Sequence, residues 1–208
     1  MDFDLLVPLN DNTEDMYNKQ LADPVAILTH NELADRKIWI TDVDDVLIDK
    51  VTRWFLVWAK EDAGKPVEER KPIRVYIYSY GGDLEVCLHL LSLFKTCKTP
   101  VYTYALGVAY SAGAFLFLGG DKRFIMPGSS VLIHQGQGGS DGTFDQVQAQ
   151  SAHYKQEIQK LKEFCLERMD IPKQTFTKKW AKEWFLTVEE ALQYKVATDL
   201  IEDLSEVV

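Results

Sequence analysis

A serine flanked by residues with little or no side chain is the first feature of this chain that could do chemistry. Ala109-Tyr110-Ser111-Ala112-Gly113 is a small-x-Ser-x-small pattern where a strand-like run passes into a small-residue run. At the first turn of a helix, such a serine presents its hydroxyl at a strand end while nearby backbone amides point toward it, as nucleophilic acyl transfer requires. Tight packing of a buried helix accounts for the same Ala, Ser and Gly. A general base is the second requirement, and the chain has four histidines. His30 lies in an N-terminal stretch without firm periodicity, while His89 and His153 lie inside helical patterns where a solvated or half-packed imidazole is ordinary. His134 ends the apolar run Val131 to Ile133 and precedes Gln135 and glycines, so its ring can emerge at a sheet end. A strand-end histidine is often structural, and spacing alone does not make Ser111 and His134 meet. The order Ser then His argues against an α/β-hydrolase, where Ser, acid and His follow one another.

Other chemistries find less support. Gly81-Gly82 follows a strand, where backbone amides can face phosphate, yet neither G-x-G-x-x-G nor G-x-x-x-x-G-K-[ST] occurs. Cys87, Cys97 and Cys165 are odd in number and widely spaced, with no C-x-x-C pair to suggest zinc or a redox dithiol. No metal and no cofactor is expected. A reducing cytosol suits three such cysteines, and a cytoplasmic location is expected. Lys and Arg total 23 against 32 Asp and Glu, a net charge of −9, the wrong sign for binding nucleic acid. No run approaches the ~18 apolar residues of a membrane span, and no signal peptide is read at the N-terminus.

The elements that must position Ser111 and His134 follow from periodicity. With 208 residues, 46% of them hydrophobic, one domain burying roughly 70% of its unfolded surface is expected. Residues 1–34 read as an N-terminal arm or axial segment with a short helical stretch around Asp15 to Leu21, and 35–208 as a single domain. Arg36 to Ile40 reads as a strand. A helix capped by Thr41 or Asp42 then carries Leu47, Val51, Trp54, Phe55 and Trp58 at spacings of three and four. Ile73 to Ser79 alternates as a strand, Asp83 caps a helix from Leu84 to Cys97, and Pro100 opens the strand VYTYAL, which makes a βαβ unit. The spacing predicts a buried helix over Gly107 to Gly120, strands at Phe124 to Met126 and Val131 to His134, and a long helix from Phe144 to Met169. Gly136 to Gly142 holds four glycines in seven residues. Pro172 restarts helix, and Val188 to Tyr194 is a last short one before Thr198 to Ile201.

With these residues laid out, the sequence resembles the ClpP family, the serine-peptidase subunit of the Clp proteases, from about Ala34 to Ile201. Tyr-Ser-Tyr-Gly-Gly before Asp83 resembles the family's Ser-Pro-Gly-Gly turn, AYSAGAFLFLGG its serine segment, MPGSSVLIHQ its histidine segment, and WFLTVEEALQYKVAT its closing segment. The resemblance implies an α/β, crotonase-like spiral of βαβ units with a protruding handle, made of the long helix and a Gly-rich strand. It implies Ser111 as nucleophile, His134 as general base, Glu183 as the acid and the amides of Gly82 and Ala112 as an oxyanion hole. Asp83, Leu84, Gly136 and Gln137 would then border the substrate. It further implies a heptameric ring, stacked as a double ring around an enclosed chamber, that cleaves unfolded polypeptides, with an AAA+ unfoldase as a partner docking at Tyr76. Three positions depart from the family. Glu183 stands for its Asp, Tyr80 for the Pro of the Gly-Gly turn, and Arg74 for a docking aromatic. A non-catalytic ring subunit and a bacteriophage prohead maturation protease are the alternatives within the same fold.

Overall fold

The computed structural model describes residues 24–207. The helical stretch expected around Asp15 to Leu21 lies outside them. Pro24–Ala34, read from the sequence as part of an arm, is a helix (α1) packed against strand β1, Lys37–Ile40. Helix α2 spans Asp45–Glu61 and buries Leu47, Val51, Phe55 and Trp58, the expected stripe. Its cap is Asp44, whose carboxylate accepts from Leu47 N at 3.0 Å, and not Thr41 or Asp42. The chain stays extended to Val43, because Val43 bridges Gly82, so no helix can begin earlier.

Strand β2, Ile73–Ser79, leads through Gly81-Gly82 to helix α3, Leu84–Thr96, capped by Asp83 as expected. Strand β3 runs from Val101 to Tyr110, four residues beyond VYTYAL. Helix α4 is therefore only Ala112–Gly119 instead of Gly107 to Gly120. The extra strand length comes from a change of partner that no local pattern encodes. Tyr102–Ala105 pair with β4 (Lys122–Ile125), and Val108–Tyr110 pair with β5 (Ser130–Ile133). Helices α5 (Phe144–Arg168) and α6 (Lys173–Trp180) follow, then β6 (Trp184–Leu186), α7 (Val188–Gln193) and β7 (Asp199–Leu200).

The strands form one sheet in the order β1-β2-β3-β4-β7, all parallel, with β5 branching from β3 and β6 antiparallel to β5. Central parallel strands are covered on both faces and carry near-continuous apolar runs, as β2 and β3 do. Helices α2, α3 and α4 share the main core with the sheet. A second cluster lies apart from it. Trp39, Tyr76, Tyr104 and Phe124 occupy one register row across β1 to β4, with stacked ring centroids 4.7, 5.0 and 4.8 Å apart. The C-terminal segment folds back so that Val207 and Ile201 cover these rings, and the Tyr76 hydroxyl donates to the Val207 carbonyl.

Two expectations are corrected here. The Gly-rich part of the handle is not a strand, since among the described residues no strand pairs with 134–142, which lie against Tyr154 instead. Tyr76, expected as a docking position, is 2% exposed and lies beneath Val207 instead of on the surface. Burial pushes its hydroxyl up to about 12, so it stays a neutral donor.

Candidate active site

Ser111 is the single residue between β3 and α4, at φ 54° and ψ −123°. That backbone conformation is sparsely populated by a residue with a Cβ, and it turns the chain sharply from strand to helix. Three bonds hold it there. Ser111 N–H donates to the Leu132 carbonyl at 2.9 Å, and its own carbonyl accepts from Ala114 at 2.9 Å and Phe115 at 3.2 Å. His134 follows β5 by one residue, and its Nε2 lies 2.8 Å from Ser111 Oγ. The two residues that the sequence singled out separately are thus hydrogen-bonded, through the pairing of β3 with β5.

The Gly-Gly turn closes the other side. A Cβ on Gly81 would lie 2.7 Å from Ser111 Cβ, so only glycine lets β2 end against the serine. A Cβ on Gly82, at φ 150°, would lie 2.2 Å from the Val43 carbonyl oxygen. Glycine is therefore required at 82 by the neighbouring backbone of Val43. Gly81 N–H donates to Ser79 Oγ and Asp83 N–H to the Val43 carbonyl. The amides of Gly82 and of Ala112, the first residue of α4, have no acceptor among the described residues, so both remain free to donate.

These groups open onto a cavity of about 910 Å³. Ser111, His134, Gly82, Ala112, Asp83, Leu84, Gly136 and Gln137 all line it, so the structure gathers every expected site residue except two. Tyr76 lies in the second cluster. Glu183 is exposed and lines a different cavity with Lys178, Lys179 and Lys182. The β5–β6 register ends at Ile133–Trp184, and one further step would set Glu183 opposite His134. No hydrogen bond or ion pair joins the two among the described residues. On β6, Trp184 and Leu186 turn inward and Phe185 outward, and Glu183 follows the outward parity of Phe185.

Sequence reasoning missed one wall of the cavity. Gln150, His153, Tyr154, Glu157, Ile158 and Leu161 present one face of α5 to it, at the three- and four-residue spacing that marks a helix face. The same spacing was available in the sequence. Tyr154 also ties this wall to the base-bearing strand, donating from its hydroxyl to the Gln135 carbonyl at 3.2 Å. Gln135 Nε2 donates in turn to the Trp180 carbonyl at 3.1 Å. Among the described residues no group of three or more His, Cys, Asp or Glu is placed to hold a metal ion, and no helix is long and apolar enough to cross a membrane.

A parallel sheet with a serine at a strand-to-helix elbow, bonded to a strand-end histidine, defines an α/β protein with a serine–histidine site. The sequence model of the Clp protease family matches residues 25–203, and the chain belongs to that family. It is 28% identical over 181 residues to the ATP-dependent Clp protease proteolytic subunit of Deinococcus radiodurans, across 84% of each chain. It is 32% identical over 134 residues to proteolytic subunit 1 of the same protease from Rhodopirellula baltica, across 64% of this chain and 59% of that one. A point mutant of ClpP1 from Listeria monocytogenes superposes with a TM-score of 0.73 at 21% identity, over 87% of this chain and 99% of that one, a likeness of fold. The protein is a ClpP-like peptidase.

Proposed function

We propose that the chain is a serine-type endopeptidase in which Ser111 is the nucleophile and His134 its general base. The observation that carries this is the 2.8 Å contact between His134 Nε2 and Ser111 Oγ at a strained elbow. His134 takes the hydroxyl proton as Ser111 Oγ attacks a peptide carbonyl. The free amides of Gly82 and Ala112 meet the negative charge that develops on the carbonyl oxygen. His134 then gives the proton to the departing amine, and water releases the acyl group by the same steps in reverse. Glu183 completes the site when its side chain turns from its present cavity to His134 Nδ1.

Backbone amides without an acceptor among the described residues flank the cleft at Gly82 and Leu84 on one side and at Gly136 and Gln137 on the other. An extended, unfolded polypeptide can pair there as an added strand. Self-assembly into a ring around a closed chamber accounts for exposed apolar side chains such as Val46, Leu56 and Phe144. Light scattering should give about 167 kDa for seven chains of 23.8 kDa and about 333 kDa for fourteen, and a monomer at micromolar concentration overturns the chamber. With Tyr76 covered and Arg74 beside it, an AAA+ unfoldase docks only if the C-terminal segment is displaced.

A non-catalytic ring subunit is the second reading, favoured by the absence of a hydrogen bond or ion pair between Glu183 and His134 among the described residues. A serine-reactive phosphonate with intact-mass readout separates the two. Labelling of the wild type at Ser111, lost in Ser111→Ala with assembly unchanged, supports the peptidase; no labelling of the wild type supports the structural subunit.

A further inference from the structure

The α5 wall of the cavity descends into the protein. Gln150 and His153 are exposed, Tyr154 and Ile158 half-buried, and Glu157 and Leu161 are 9% and 1% exposed. Phe115 and Leu132 face the same space and are 3% and 8% exposed. The deep part of the cavity is therefore apolar except for one carboxylate. Glu157 Oε1 accepts from Lys160 Nζ at 2.7 Å, but that lysine is 65% exposed and lies outside the cavity. Glu157 Oε2 accepts no hydrogen bond among the described residues. Asp83 and Glu85 line the mouth, and no Lys or Arg lines the cavity at all.

The Glu157 side chain is 11% exposed, and a ligand that fills the cavity removes that access to water, while an exposed pair with a residue three positions along the same helix returns little. The surroundings match a side chain with an aliphatic stem and a cationic end, the stem against Phe115, Leu132 and Ile158 and the cation on Oε2. A purely apolar side chain of equal length fills the same walls but leaves the carboxylate dehydrated and unpaired. We infer that the cavity beside Ser111 selects a substrate lysine or arginine, with Glu157 the residue that sets this preference. The inference rests on the reading of Ser111 as nucleophile and adds the substrate class to it.

The test uses the full-length protein and two fluorogenic peptides that differ only in the residue before the scissile bond, lysine in one and norleucine in the other. Norleucine keeps the four-carbon stem and lacks the ammonium. The wild type should cleave the lysine peptide with a kcat/KM roughly tenfold or more above the norleucine peptide, the size of effect expected when a buried polar group is left unpaired by the wrong substrate. Glu157→Gln should bring the ratio close to one, and Glu157→Asp should keep much of it. A wild-type ratio at or below one overturns the inference, as does a ratio that Glu157→Gln leaves unmoved. Matched lysine and norleucine phosphonates identify which premise has failed. Equal labelling of Ser111 by both sinks the selectivity while the peptidase reading stands, and labelling by neither sinks the peptidase reading and the inference with it.

Discussion

Replacing Gly82 by alanine tests the oxyanion loop with a single methyl group. The new Cβ would sit 2.2 Å from the Val43 carbonyl oxygen and within 3.0 Å of two more Val43 backbone atoms, where ordinary contact begins near 3.4 Å. Something must move by about 1 Å, and what meets there is backbone on both sides. The loop is also tied to Val43 by two hydrogen bonds, Val43 N to Gly81 O and Asp83 N to Val43 O, so displacing it carries the Gly82 amide away from Ser111. A misplacement of about 1 Å or the loss of one oxyanion donor each lowers kcat roughly 100-fold or more. At φ 150° the alanine adds backbone strain of about 1–3 kcal/mol. Gly128→Ala separates the two effects. Gly128 also has positive φ, at 79°, but a Cβ there would meet nothing within 4 Å, so only the conformational cost of about 1 kcal/mol should appear. Peptide hydrolysis and urea unfolding, measured on both variants, give the comparison. Gly82→Ala should lose about two orders of magnitude in kcat with Gly128→Ala close to wild type, and a fully active Gly82→Ala enzyme would remove this loop from the mechanism.

Glu183→Ala should lower kcat roughly 100-fold, as loss of an orienting acid does, with Glu183→Asp retaining part of the rate; full activity in Glu183→Ala would mean that Ser111 and His134 work as a pair. The Arg36 guanidinium, with Thr99 and Lys65 beside it, holds the buried Asp62 carboxyl well below the usual carboxylate range. Because its folded pKa is depressed, its stabilisation is present above the unfolded value near 4 and is lost as pH falls toward the folded one. Asp62→Asn should therefore cost about 3 kcal/mol at neutral pH, with the gap to wild type closing in acid, and a pH-independent gap in urea midpoints would refute this. Burial pushes the thiols of Cys87 and Cys165 far up, so iodoacetamide should modify the folded chain only at half-buried Cys97 and all three cysteines once it is unfolded.

What the sequence made legible was local. Ser111 could be found because small neighbours at a strand-to-helix turn are a short-range pattern, and α3 because Asp83 caps it three residues from Val86. Long-range pairing was not legible. The continuation of β3 to Tyr110 depends on β5, and the three residues of β6 are too few to show a period. The steric need for Gly82 comes from Val43, far earlier in the chain, and the cover over Tyr76 comes from Val207 at the other end. Glu157 was passed over for a different reason. A glutamate within a helical pattern is ordinarily solvated, and only the folded chain shows that this one faces inward.

The bond from Ser111 N–H to the Leu132 carbonyl makes the sheet itself the gauge of the reactive distance. Leu132 is two residues before His134, so nucleophile and base are spaced by a strand register, and a ladder shifts only in whole steps. The glycine-rich lip after Gln135 contributes nothing to that spacing, since Gln135 is pinned separately to Tyr154 and Trp180. Length and composition between Gly136 and Gly142 can therefore be rewritten to change which chains are admitted while the chemical step keeps its geometry. The fold separates a fixed reaction centre from an editable entrance, and redesign of such a peptidase should begin at the entrance.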